Sequence, residues 1–274
     1  MRINHNMAAI NAHNQLTKNG GASSKSLEKL SSGLRINSAG DDAAGLAISE
    51  KMRTQIRGLD QAESNAQDGI SLIQTAEGAL QQTTDILQRM RELVIKAENT
   101  GVLSTDDETS ITVEIEALKV EIDRIAESTS FNGKNLLDGS CLPKEKALHF
   151  KIGANTNTCD TLKITIGNMT ASSLGIAKIS VGNASLALKS LDKAIVNVSK
   201  QRANLGAVQN RMEYAIESLS TTAENLTAAE SRIRDVDMAD EMVSYTKDNI
   251  LQQSAMAMLA QANQQPTQIL SLLQ

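Results

Sequence analysis

The sequence predicts a mainly α protein. The fold is an elongated, antiparallel coiled-coil-like helical rod with a small β-hairpin, flanked by helical terminal arms that are disordered in the monomer. Three observations carry this expectation. Stepping by seven from Met52 gives Leu59, Ala66, Ile73, Leu80, Leu87 and Val94, with no polar residue on the line. The same period returns near the far end in Leu191, Val198, Leu205, Met212, Leu219, Leu226 and Ile233. A sustained seven-residue repeat puts each set on one stripe of a helix, as at a coiled-coil seam. Finally, proline occurs only at Pro143 and Pro266, so nearly all of the chain is free to be helical.

Composition points away from a thick globular core. There is no Trp, and the aromatic residues are Phe131, Phe150, Tyr214 and Tyr245. Large cores draw much of their buried area from rings; here Ala, Leu, Ile and Met must supply it, which suits thin helix–helix seams. Formal charge is −5 and unevenly spread. Residues 1–40 hold five bases (Arg2, Lys18, Lys25, Lys29, Arg35) against Glu28. Residues 235–274 hold five acids (Asp235, Asp237, Asp240, Glu241, Asp248) against Lys247. The two ends therefore attract one another, although exposed pairs contribute little singly. No dense basic tract favours nucleic acid, and no apolar run reaches the ~18–20 residues that span a bilayer. The start of the chain lacks the pattern of a cleaved signal peptide, so export, if it occurs, uses a dedicated route.

Residues 1–40 read as an arm. Ile3, Met7 and Ile10 recur at helical spacing, Gly20-Gly21 interrupts, and Leu27, Leu30 and Leu34 resume. So thin a stripe does not offset its own ordering entropy, so the arm is expected to order only when a partner covers it. The connector Ser31–Gly45 is rich in turn formers, and Asp41 or Asp42 can cap the helix expected over 43–97. Gly58, Gly69 and Gly78 inside that helix permit close backbone approach or a bend. A further helix is expected over 105–129, where Ile111, Ile115, Leu118, Ile122 and Ile125 follow 4–3 spacing and Asp106, Asp107 and Glu108 favour its first turn. Phe131-Asn132-Gly133 marks a turn. The pattern then changes to period two: Leu148, Phe150 and Ile152 alternate with polar residues, as do Leu162, Ile164 and Ile166, predicting a hairpin over 147–167 that lies on the helices. Residues 168–185 are loop-like, and the last long helix is expected over 184–233.

From Asn249 onward there is no charged residue, yet Met256, Leu259, Ile269, Leu270, Leu272 and Leu273 are apolar. A soluble monomer would leave such a face bare only if neighbouring subunits cover it. The domain division expected is thus arms at 1–40 and 235–274 around a rod at 41–234. Cys141 and Cys159 are read as free thiols, since an extended chain before the hairpin separates them beyond bridging distance.

Catalytic chemistry has no candidate. The histidines are His5, His13 and His149, without an H-E-x-x-H, and neither cysteine has a metal-binding spacing. No phosphate-binding G-x-x-x-x-G-K-[ST] loop occurs, and the carboxylates Glu114, Glu116, Glu121 and Asp123 read as a solvated helix face. Neither an enzyme nor a cofactor is expected.

Three motifs in order carry a family resemblance: MRINHNMAAINAHNQL at the start, LSSGLRINSAGDDAAGLAISEKMR in the connector, and ESRIRDVDMADEMV with QANQQPTQILSLLQ at the end. Together they resemble bacterial flagellin. The segment 168–185 is too short for the outer domains many flagellins insert there, so this would be a short form. The resemblance implies a subunit that polymerises into the flagellar filament, outside the cell, after type III export. It also implies partners: further copies of itself, an export chaperone on the C-terminal arm, and cap and hook-associated proteins. No nucleic acid or membrane partner is implied. Gln88, Arg89 and Leu93, with Glu114 on the next helix, resemble the surface bound by the flagellin-sensing Toll-like receptor. Leu270, Leu272 and Leu273 resemble a segment sensed by cytosolic immune receptors. Two other readings fit parts of the sequence: a hook–filament junction protein sharing the same termini, and a cytoplasmic helical signalling hairpin, which the intervening hairpin and third helix disfavour.

Overall fold

The computed structural model describes residues 6–99, 104–140, 148–155 and 160–272, with 266–272 described as backbone alone. Helices run over Met7–Ser32 (α1), Ala43–Ala97 (α2), Thr105–Ser128 (α3), Ala184–Arg234 (α4) and Met238–Leu272 (α5). Short strands occupy Ser130–Phe131 (β1), Lys134–Asn135 (β2), Leu148–Lys151 (β3) and Thr161–Ile164 (β4). The mainly α class with a small β-hairpin is as the sequence predicts. Both Cys141 and Cys159 lie outside the described residues, so their thiol state stays an expectation. Contacts divide the chain into a unit of residues 55–224 and a unit formed by Met1–Thr54 with Asn225–Gln274.

The 55–224 unit is built on a seam between α2 and α4. Leu59, Ala66, Ile73, Leu80, Leu87 and Val94 are all buried, as are Leu191, Val198, Leu205, Met212 and Leu219 facing them. Arg91 pairs with Asp192 at 3.0 Å and Glu77 with Arg202 at 3.6 Å, so α2 numbers fall as α4 numbers rise. The helices are antiparallel. A second line on α2, Ala62, Gly69, Ala76, Thr83, Met90 and Ala97, is also buried and consists mostly of small residues. Small side chains let the helices approach: a Cβ on Gly69 would sit 2.7 Å from Met212 Cε and 3.1 Å from Phe150 Cδ1. Gly58 instead makes room for Ala154, in the loop after β3, and Gly78 faces open space. The buried Thr83 and Thr84 hydroxyls donate to the carbonyls of Ala79 and Leu80 one turn back, so both are satisfied within α2, whereas the Nε of Arg202 on α4 is buried without a hydrogen-bond partner.

Helix α3 buries Ile111, Ile115, Ile122 and Ala126 against the same core, and Ile125 is buried as well. Its start is a capping box: the Ser104 hydroxyl oxygen accepts from Asp107 N–H, and the Asp107 carboxylate accepts from Ser104 N–H at 3.0 Å. The Ser104 N–H, with the Ser104 hydroxyl donating at 2.8 Å, holds the Asp107 carboxyl below the usual carboxylate range. Asn132 and Gly133, both with positive φ, close a two-residue turn that pairs Phe131 with Lys134. The second hairpin pairs Leu148 with Ile164 and Phe150 with Leu162, turning its apolar face onto the helices.

The segment 168–180 is a loop, as expected, but a packed one. Met169, Ala171, Leu174, Ile176 and Ile179 are buried. It is pinned to α3 by two side chains, Asp123 from the face expected in solvent and Lys119, which the sequence does not single out. Asp123 accepts from Ala171 N–H at 2.8 Å, and the buried Lys119 ammonium donates to Ile179 O at 2.8 Å and to Glu116 at 2.8 Å. Asp123 is therefore not part of a merely solvated carboxylate face. Replacing Lys119 with Met leaves the Ile179 carbonyl without its donor, at a cost of about 1–3 kcal/mol; urea denaturation of the monomer should read the loss, with helical content unchanged.

In the terminal unit α1 and α5 lie antiparallel. Asn6 Nδ2 donates to Ala262 O at 2.7 Å near one end, and Lys29 meets Glu241 at 3.7 Å near the other. The basic and acidic ends thus associate as their charges favour. Helix α1 stops at Gly33, whose left-handed φ of 71° lets its N–H reach Lys29 O at 2.8 Å. The chain then pairs Leu34 with Asp235, and Arg35 N–H donates to Arg234 O at 2.6 Å. Asp42 caps α2 by accepting from Gly45 N–H at 2.9 Å, while Asp41 closes the Asn37–Ser38 turn. Arg234 completes the joint by donating to Glu50 at 2.8 Å.

Candidate assembly and recognition surfaces

The α1–α5 seam uses the poorer face of each helix. On α1 the half-buried positions recur at 3–4 spacing through Ala12, Leu16, Asn19, Ser23, Ser26 and Leu30; on α5 they run through Glu241, Tyr245, Asp248, Gln252, Ala255, Leu259 and Ala262. Polar groups make up about half of each line. Only Ser26 is fully buried on α1. Among the described side chains of α5 only Ala262 is. Helix α4, by contrast, buries seven residues, from Ala187 to Leu219.

Apart from Leu16, Leu30 and Leu259, most of the large apolar residues of the arms consequently lie off the seam. Met7 is 61 % exposed, Ile10 is exposed one turn on and Leu27 near the other end of α1; Leu30 and Leu34 are half-buried. On α5, Val243 is 70 % exposed, with Met242, Ile250, Leu251, Met256 and Met258 also bare and Leu259 half-buried. Ile3 and Leu273 lie outside the described residues, and Ile269, Leu270 and Leu272 are placed only as backbone of α5. Among the seam positions expected from the sequence, Met52 and Leu226 are half-buried and belong to this terminal unit.

Of the recognition candidates, Gln88 and Arg89 are exposed and Glu114 is half-buried. Arg89 donates through Nη2 and Nε to one Glu114 oxygen at 3.0 and 3.1 Å, and through Nη1 to Glu92 at 3.3 Å. The Glu114 hydrogen bond, then its charge, raises the Arg89 pKa further above its ordinary value. Leu93 departs from this surface. At 3 % exposure it belongs to the core, because α2 packs against α3 as well as α4 and so buries a wider arc than one seven-residue line. Among the described residues no cluster of three or more His, Cys, Asp or Glu is placed to hold a metal, and no helix is long and apolar enough to cross a membrane.

Fold and surfaces together define a helical scaffold protein whose terminal helices leave apolar faces uncovered. Comparison with known proteins gives the family. Residues 3–141 match the model of the bacterial flagellin N-terminal helical region, and residues 188–273 match that of the C-terminal helical region. The chain is 55 % identical to a flagellin of Bacillus subtilis and 52 % identical to a flagellar filament 33 kDa core protein of Treponema phagedenis, covering 100 % of each sequence and of itself. The crystal structure of Bacillus cereus flagellin aligns with 61 % of this chain and 94 % of its own, at 30 % identity and a TM-score of 0.49. The chain belongs to the bacterial flagellin family.

Proposed function

We infer that this chain is the structural subunit of a bacterial flagellar filament, and that it polymerises through its terminal helices. One observation carries the reading: α1 and α5 pair through a half-polar seam and leave Met7, Ile10, Val243, Met256 and Met258 exposed. Further copies supply the missing cover. The full-length identity to filament proteins supports a filament subunit over a hook–filament junction protein. The division of labour follows: arms at 1–40 and 235–274 make the inner contacts, and residues 41–234 form the stacked outer body. The filament is extracellular, and the subunit reaches it by the flagellar export route without a cleaved signal peptide. A cytosolic chaperone that shields the bare α5 face before export is the partner this surface requires, and cap and hook-associated proteins bound the polymer at its ends. Enzymatic activity forms no part of this function. Seeding purified protein and imaging it by negative-stain microscopy tests the reading; persistent monomer under every seeding condition would contradict it.

The Gln88–Arg89–Glu114 patch is proposed as the contact for the flagellin-sensing Toll-like receptor. Arg89 is held by two carboxylates, and this pre-orders the guanidinium for recognition. Arg89→Ala should reduce signalling by the monomer at least tenfold while leaving its thermal midpoint unchanged. Leu93→Ala acts differently: it opens a core cavity at about 2–5 kcal/mol, so its signalling loss should track unfolding. Wild-type signalling from Arg89→Ala combined with Glu114→Ala removes the assignment.

A further inference from the structure

The 55–224 unit carries two uncovered stripes of opposite charge on different helices. On α3, Val113, Ala117 and Val120 share one face, and the two valines are 69 % and 67 % exposed. A β-branched residue is a weak helix former, so two of them bare on one stripe gain nothing for a lone molecule. Acids flank them: α3 holds eight acidic residues, and its two bases are the buried Lys119, paired with Glu116, and Arg124, which continues the valine line and is held by Glu121 at 2.8 Å. On α4, Lys189, Lys193, Val196 and Lys200 follow 4–3–4 spacing, with Val196 63 % exposed. None of these lysines makes an ion pair among the described residues, and the nearby Asp192 is already held by Arg91. The stripes from 113 to 127 and from 186 to 200 are each ~21 Å long.

We propose that the Val113–Val120 face of α3 on one copy seats on the Lys189–Lys200 face of α4 on a second copy, the valines meeting at the centre and lysines pairing with the flanking glutamates. This deepens the filament reading and rests on it. The two faces differ, so the contact is heterologous: every copy offers one face and accepts the other, and the series stays open unless rotation closes it. Charge complementarity selects a second copy as the occupant, because each chain carries both halves of the match.

Charge exchange tests the pairing. Lys193→Glu/Lys200→Glu places acid against acid, and Glu121→Lys/Glu127→Lys places base against base. Each double variant alone should raise the critical concentration for polymer, read by sedimentation, at least tenfold. An equimolar mixture of the two should restore it to within about twofold of wild type, since the reversed faces then match. Circular dichroism and thermal midpoint establish that each monomer is folded; should one unfold, Val120→Asp and Val196→Asp, both at exposed positions, replace the charge variants and should each block polymer. Polymerisation of both charge variants at the wild-type critical concentration overturns the proposal, as does failure of the mixture to recover. Wild-type chain that forms no polymer in the same assay would instead overturn the filament reading.

Discussion

Deleting residues 1–40 or 235–274 should abolish polymerisation and leave the 55–224 unit folded. The reason is where the apolar surface lies. That unit buries its own lines, Leu59 to Val94 on α2 and Leu191 to Leu219 on α4, with Ile73, Leu80, Leu87 and Met212 sealed from water. Full burial of side chains such as these contributes roughly 1.5–3 kcal/mol apiece, and none of it comes from α1 or α5. The deletions instead take away the bare residues Met7, Ile10 and Leu27 at one end, or Val243, Met256 and Met258 at the other. Either cut also removes one side of the Arg35–Arg234 joint or of the Lys29–Glu241 pair. Sedimentation should find all of either truncated protein in the supernatant, with far-ultraviolet dichroism retaining the signal of α2, α3 and α4. Pelletable filaments from either truncation would refute the assignment of assembly to the arms.

Much of this was legible in the sequence, and the misses have physical causes. The α2 and α4 seams could be read because a seven-residue apolar line has few other meanings, and the helix limits followed from Asp42, the acidic first turn at Asp106–Glu108 and the turn residues; the Ser104 cap was not visible. The hairpin at 148–164 showed itself by alternation. The pair at Ser130–Asn135 did not, since two-residue strands are too short to alternate; only its Asn-Gly turn was visible. Asp123 reads as solvated because charged residues on a helix usually are, and nothing local reveals that a loop some fifty to sixty residues later supplies an N–H to Asp123 and a carbonyl to Lys119, a residue the sequence does not single out. Leu93 sits one step off the seven-residue line, and its burial depends on α3 covering a second arc of α2. The α1–α5 seam was hidden for the opposite reason: Asn19, Ser23, Ser26, Asp248 and Gln252 carry no apolar period at all.

That polar seam sets the second large expectation. An antiparallel pair held by Leu16, Leu30, Leu259 and small residues buries too little to offset backbone ordering of about 1–2 kcal/mol per residue, and helices in water draw their stability mainly from a packed apolar face. The paired helices of the terminal unit should therefore open readily in a free subunit and close fully only against other copies. Local opening of this kind is read amide by amide. Hydrogen exchange on dilute monomer and on filament tests the central claim. In the monomer, amides of α1 and α5 should exchange orders of magnitude faster than those around Ile73–Val94, Ile111–Ile125 and Leu191–Met212; in the filament the difference should vanish. Terminal helices as strongly protected in the dilute monomer as the α2–α4 core would show that the arms fold without neighbours, and would contradict the account.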